Sequence, residues 1–146
     1  TDEARMLSSK GCKRTKEMAA ALRSLGVDPD MIFTSPLIRA RETARILKKN
    51  LELSHELNIC KNLQPGGNLN ALISDINTYR NDSVMLVGHM PGLSNLASYL
   101  LCGNTSLRIM FKKAGVVYIC IQFPIEPATG FLHWCISPRH VRMLSA

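Results

Sequence analysis

A chain of 146 residues with 46% apolar content, 20% charged residues and mean hydropathy near zero is long enough for one packed core and too short for two full-sized domains. That balance excludes the charge-rich, apolar-poor class that stays disordered, and no apolar run approaches the length needed to span a bilayer. The net charge of +7 invites a nucleic-acid reading, but the basic residues are spread along the chain and aromatics make up only 5%. A positive field suits any anionic ligand, a phosphorylated protein included. The five cysteines form no C-x-x-C pair and read as small core residues in a reducing compartment, with no disulfide and no metal. The opening Thr1-Asp2-Glu3-Ala4-Arg5 is not a basic and then apolar leader. A soluble, cytoplasmic, monomeric protein is expected, with no nucleic-acid or membrane partner and no cofactor.

In chain order, Ser8 or Ser9 is an N-cap and the first helix runs to Leu25, with Gly26 at the position after the cap where a left-handed residue is favoured. Met18, Leu22 and Leu25 recur at helical spacing as its buried stripe. Met31 to Phe33 is a short buried strand leading into Ser35-Pro36. The helix after it places Leu37, Ala40, Ala44, Leu47 and Leu51 on one face. A weaker strand over Leu57 to Cys60 and a turn at Pro65-Gly66-Gly67-Asn68 precede a helix from Leu69 to about Tyr79. Val84 to Val87 is apolar on both faces, as a strand inside a parallel sheet should be. Gly88-His89-Met90-Pro91-Gly92 turns into a helix carrying Leu93, Leu96, Ala97, Leu100 and Leu101 and stopping at Gly103. Val116 to Phe123 and Phe131 to Ser137 read as a hairpin finishing one side of the sheet. Strands alternating with helices predict an α/β sandwich with helices on both faces of the sheet.

Two junctions stand out, Thr34-Ser35-Pro36 and Gly88-His89-Met90-Pro91. Each lies at the carboxyl end of a buried strand and just ahead of a helix, the edge of an open α/β sheet where ligands bind. Arg39 and Arg41 sit at the positive end of the helix dipole, where a cation is disfavoured unless an anion binds. A guanidinium offers a phosphate two parallel donors, so Arg39 is a candidate clamp; pairing with Glu42 or pointing to water is the competing reading. Arg41 and Arg45 read as surface residues. His89, between two glycines at a strand end, is a candidate catalytic group, whereas His55, His133 and His140 read as structural or solvent-facing.

Taken together, Arg5-Met6-Leu7-Ser8-Ser9-Lys10-Gly11, Thr34-Ser35-Pro36-Leu37-Ile38-Arg39-Ala40-Arg41-Glu42-Thr43-Ala44, Val87-Gly88-His89-Met90-Pro91-Gly92 and Leu132-His133-Trp134 with Ser137-Pro138 resemble the histidine phosphatase superfamily, and within it the compact SixA-type phosphohistidine phosphatases. The resemblance implies a single domain over residues 1–146 with a phosphoglycerate mutase-like, three-layer α/β/α sandwich on a mostly parallel sheet. It assigns Arg39 and His89 as catalytic, and Arg5, Ser35 and Gly88 as substrate-binding, with no metal. A first histidine, from an Arg-His-Gly segment ending the family's first strand, attacks phosphorus and is transiently phosphorylated. No Arg-His-Gly occurs here. The expectation is a domain lacking its first strand whose attacking histidine is encoded upstream of Thr1; an inert phosphate-binding module is the alternative. Asn62 to Asn68 offers no carboxylate as general acid, which suits the imidazole leaving group of phosphohistidine on a signalling protein better than the alkoxide of a small phosphomonoester. Both substrates remain open at this stage.

Overall fold

The computed structural model describes residues 1–145. In chain order its elements are α1 (Ser9–Ser24), β1 (Met31–Thr34), α2 (Ile38–Asn50), β2 (Leu57–Ile59), a 3-10 turn (Lys61–Leu63), α3 (Leu69–Thr78), β3 (Val84–Val87), α4 (Gly92–Cys102), β4 (Val116–Cys120), β5 (Phe131–Ile136) and α5 (Pro138–Ser145). Ser8 caps α1 by accepting the Gly11 N–H, and Gly26, at φ 75°, follows the last turn in the left-handed region that favours glycine. Asn68 caps α3 in the same way through the Ala71 N–H.

β1 is the centre of a parallel sheet ordered β2-β1-β3, with Ile32 opposite Leu57 on one side and Met85 on the other. Successive β1 side chains enter different cores. Ile32 joins Met18, Ala19 and Leu22 of α1 and Ala40, Ala44 and Leu47 of α2, whereas Phe33 joins Leu72, Ile73 and Ile76 of α3 and Leu96 and Leu100 of α4. Helices thus cover both faces of the sheet, the three-layer α/β arrangement that the alternation predicted.

Four expectations are corrected. Leu25, placed on the buried stripe of α1, is 55% exposed, because it is the C-cap residue and the helix has ended before it. The cysteines are free thiols, yet only Cys60 is buried; Cys102, Cys120 and Cys135 are exposed, two of them on the solvent-facing hairpin. The hairpin does not finish the parallel sheet. β4 and β5 form a two-stranded antiparallel sheet of their own, with an irregular register between Tyr118 and Ile119. Last, β3 is less enclosed than its composition predicts: Val87 is buried, while Val84, Met85 and Leu86 are half-buried.

The state of β3 follows from its pairing. Among the described residues it bonds to β1 alone, so its other edge carries unpaired backbone groups. Val116, Trp134 and Ile136 of the hairpin pack against the core cluster that holds Val87, without hydrogen-bonding to β3. The accessible surface, 8981 Å², exceeds the roughly 7,500 Å² expected of a compact monomer of this mass. The exposed apolar hairpin residues Phe131 and Leu132 contribute to that surplus.

A core test follows from the contrast between Leu22, fully enclosed, and Leu25. In urea denaturation, Leu22→Ala should cost about 2–5 kcal/mol and Leu25→Ala less than about 1 kcal/mol.

Candidate active site

The strand order places the site. From β1 the chain leaves through α2, on the α1 side of the sheet, to reach β2; from β3 it leaves through α4, on the opposite side. The loops after β1 and β3, adjacent strands, therefore part in opposite directions and open a crevice at their carboxyl ends. Ser35 N donates to Val87 O at 2.9 Å, which carries the pairing of β1 with β3 one residue past the strands and sets Ser35 beside the Gly88-His89 turn.

His89 is half-buried, and its Nε2 lies 2.8 Å from Ser35 Oγ. Burial holds its pKa below the ordinary histidine value; the Arg39 guanidinium pushes the same way and the Asp2 carboxylate opposes. Neutral imidazole is therefore the form the fold favours.

Arg39, in the first turn of α2, donates from Nη1 to Asp2 O at 2.7 Å and from Nη2 to Asp2 Oδ2 at 3.1 Å. The competing partner proposed from sequence, Glu42, is otherwise engaged: its Oε2 accepts the Leu7 N–H at 2.6 Å and so ties the N-terminal segment to α2. Arg5 reaches the cluster only through Asp2, its Nη2 lying 3.7 Å from Asp2 Oδ1, with both side chains exposed. Asp2 thus sits between two arginines as a resident anion on the candidate phosphate clamp. Its side chain is 63% exposed, so the pairing is solvent-screened and exchangeable.

Gly88 contributes space. A Cβ there would stand 3.2 Å from the Leu63 carbonyl oxygen and 3.2 Å from Leu93 Cδ2, so the glycine lets the end of β3 approach the 3-10 turn closely. Between that turn and the start of α4 is a cavity of about 240 Å³ lined in part by Asn62, Gln64, His89, Asn95 and Thr105. Among the described residues no carboxylate lines it. Asp75 stands behind the wall, where its Oδ2 accepts from Asn62 Nδ2 at 2.8 Å and from Cys60 Sγ at 3.4 Å. Its function in the fold is to hold the loop that forms the wall. A larger cavity, about 320 Å³, lies between α1 and α5 and includes none of the residues of this corner.

Ser35, Arg39, Gly88 and His89 are thus brought to one corner, and Arg5 to its rim. Sequence reasoning missed Asp2 and Asp75. Both are ordinary acidic residues whose meaning lies in long-range partners, with no local signal to find them. Arg41, read as a surface residue, is half-buried with its Nε enclosed and unpartnered. The other histidines are structural or solvent-facing as expected: His55 Nε2 meets Pro29 O at 3.0 Å, His133 stacks edge-on with Tyr118, and His140 Nδ1 accepts from Ser137 N. Among the described residues no cluster of His, Cys, Asp and Glu could hold a metal ion.

Comparisons with known proteins converge on one group. Residues 3–64 match the family model of the histidine phosphatase superfamily, branch 1. An uncharacterized protein of Picosynechococcus sp. (strain PCC 7002) is 37% identical over 119 residues, covering 80% of this chain and 72% of the relative. Phosphohistidine phosphatase SixA of Escherichia coli K12 is 25% identical over 149 residues, covering the whole of this chain and 89% of its own. Among solved structures, the protein histidine phosphatase SixA complexed with tungstate superposes with a TM-score of 0.87 at 23% identity, covering 97% of this chain and 89% of the other.

The charges around His89 give a signed test. In an NMR titration, His89 should titrate below the ordinary histidine value, Arg39→Ala should raise its midpoint, and Asp2→Asn should lower it. Because protonation favours the unfolded chain, the His89 contribution to stability is complete above about pH 6.5 and is lost as pH falls from there toward the folded pKa. His89→Gln should flatten that part of the stability profile, and a profile unchanged by the substitution would contradict the assignment.

Proposed function

The chain belongs to the histidine phosphatase superfamily, and from that premise we propose that it removes the phosphoryl group from phosphohistidine on a signalling protein, through a phosphorylated histidine of its own. The observation that carries the reading is the convergence of Arg39 and His89 on the crevice between β1 and β3, in a fold shared with SixA. In this reading Arg39 exchanges Asp2 for the phosphoryl group, clamping two of its oxygens, and His89 gives a further hydrogen bond to an equatorial oxygen. Charge on those oxygens is offset by the guanidinium and by hydrogen bonding from His89, with no metal required.

The attacking group is not among the 146 residues, which contain no Arg-His-Gly. We assign it to a strand preceding Thr1 that pairs with the free edge of β3 and ends at the same crevice. The unpaired edge and the half-buried Val84, Met85 and Leu86 support that placement. Its imidazole nitrogen attacks phosphorus in line as the substrate's P–N bond breaks. The departing imidazole takes up a proton, and water then cleaves the enzyme's own P–N bond to give inorganic phosphate. The carboxylate-free wall of the cavity beside His89 favours this leaving group, since imidazole departs more readily than an alkoxide and needs no strong acid at hand.

Turnover of a phosphorylated histidine-containing domain should be compared with that of a panel of sugar phosphates, using protein that carries its natural residues upstream of Thr1. Phosphohistidine should be the better substrate; small esters turning over faster by orders of magnitude would overturn the choice of substrate, and an upstream sequence without Arg-His-Gly would overturn the enzymatic reading in favour of an inert phosphate-binding module. In the same assay His89→Ala should fold and lose about two to four powers of ten in rate. Arg39→Ala should abolish binding of inorganic phosphate while leaving stability within about 1 kcal/mol of the parent.

A further inference from the structure

We infer that Ser35 is a positioning residue that fixes the tautomer of His89, holding the imidazole proton on Nδ1 so that the neutral ring is a hydrogen-bond donor toward the phosphate site. The inference rests on His89 being a phosphate-contacting residue, as proposed above. Family resemblance points to Ser35 as a substrate contact, but its side chain is fully buried, so it acts on the ligand through His89.

The geometry counts out the protons. A serine hydroxyl has one hydrogen to give and two lone pairs to fill. Ser35 Oγ accepts the Leu37 N–H at 3.2 Å and lies 2.8 Å from His89 Nε2. Among the described residues it has no other partner. Leu37 N is itself a donor and cannot take the hydroxyl hydrogen, which leaves Nε2 as its acceptor. A bare Nε2 in a neutral imidazole requires the proton on Nδ1. The opposite tautomer would make Oγ accept twice and bury a hydroxyl hydrogen without a partner, a state that folded proteins rarely tolerate.

Among the described residues Nδ1 has no hydrogen-bond partner, and the atom is not enclosed, so it remains open to a ligand. There the tautomer decides the sign of the interaction. Nδ1–H donates to a phosphoryl oxygen, whereas a bare Nδ1 would set a lone pair against an anion. Ser35 thus makes His89 a donor without requiring that the ring be charged, in a setting where burial and Arg39 both disfavour the charged form.

Long-range proton–nitrogen correlation spectra of the uniformly 15N-labelled chain at neutral pH, with the His89 signals identified by their absence in His89→Gln, read the tautomer directly. We expect a protonated Nδ1 and a bare Nε2 in the parent. A protonated Nε2 overturns the inference. In Ser35→Ala, and in Ser35→Cys, which keeps a group in that space but donates only weakly, the Nε2–H form should gain population; a His89 spectrum that keeps the pure Nδ1–H pattern in a folded variant of either kind also overturns it. No substrate enters the measurement, so its failure would leave the phosphatase reading standing, and an inactive protein would leave the spectrum unaffected.

Discussion

The pairing of β1 with β3 is the constraint on which the remainder of the corner rests. These strands are neighbours in space although α2, β2 and α3 separate them in sequence, and their onward connections leave toward opposite faces of the sheet. The hydrogen bond from Ser35 N to Val87 O extends their ladder into the loops, so the positions of the two turns are locked by backbone before any side chain is considered. Leu93 N then donates to His89 O at 2.9 Å, fastening the second turn to the start of α4. Side-chain chemistry is added to a frame already fixed: Ser35 reaches His89, Gly88 admits the 3-10 turn, and Arg39 follows within a turn of α2.

Electrostatics at the corner are arranged for an anion. α2 begins without an acidic residue in its first turn and carries Arg39 there, a placement the helix dipole opposes. The structure resolves that conflict with Asp2, presented by a segment tied down at Leu7 by its backbone bond to Glu42. A carboxylate carries one charge, whereas the phosphoryl group of the proposed reading would bring more charge and three oxygens, and so would make fuller use of the same donors. Neutral His89 complements this. It adds a donor without adding a second full positive charge a short distance from the guanidinium.

Much of this was legible in the sequence because the signals are local. Ser8 and Gly26 bracket α1, alternating helices and short apolar strands predict the layers, and the two strand-to-helix junctions single out Arg39 and His89. Other features depend on distant partners. Asp2 and Glu42 look like surface acids until the fold brings Arg39 and the Leu7 backbone to them. The amphipathic α5 was missed because its short pattern directly follows a strand, and the 3-10 turn at Lys61–Leu63 because a single turn has no periodicity. The runs Val116 to Phe123 and Phe131 to Ser137 read correctly as a hairpin, but apolar composition cannot say which sheet a hairpin joins.

The free edge of β3 ties stability to chemistry. Val84, Met85 and Leu86 lie only half-buried between two cores, and the hairpin approaches the same cluster as Val87 without closing the sheet. On the proposed reading, one strand laid along that edge would satisfy its backbone groups, cover its apolar side chains and bring the attacking imidazole to the crevice. Edge pairing and delivery of the nucleophile would then be a single event, governed by the same register, since a shift of one residue turns every side chain of a strand to the other face. The histidine at the strand's carboxyl end would be placed by the whole ladder behind it. Arg39, His89 and Ser35, fixed independently by β1 and β3, would be in position before it arrives.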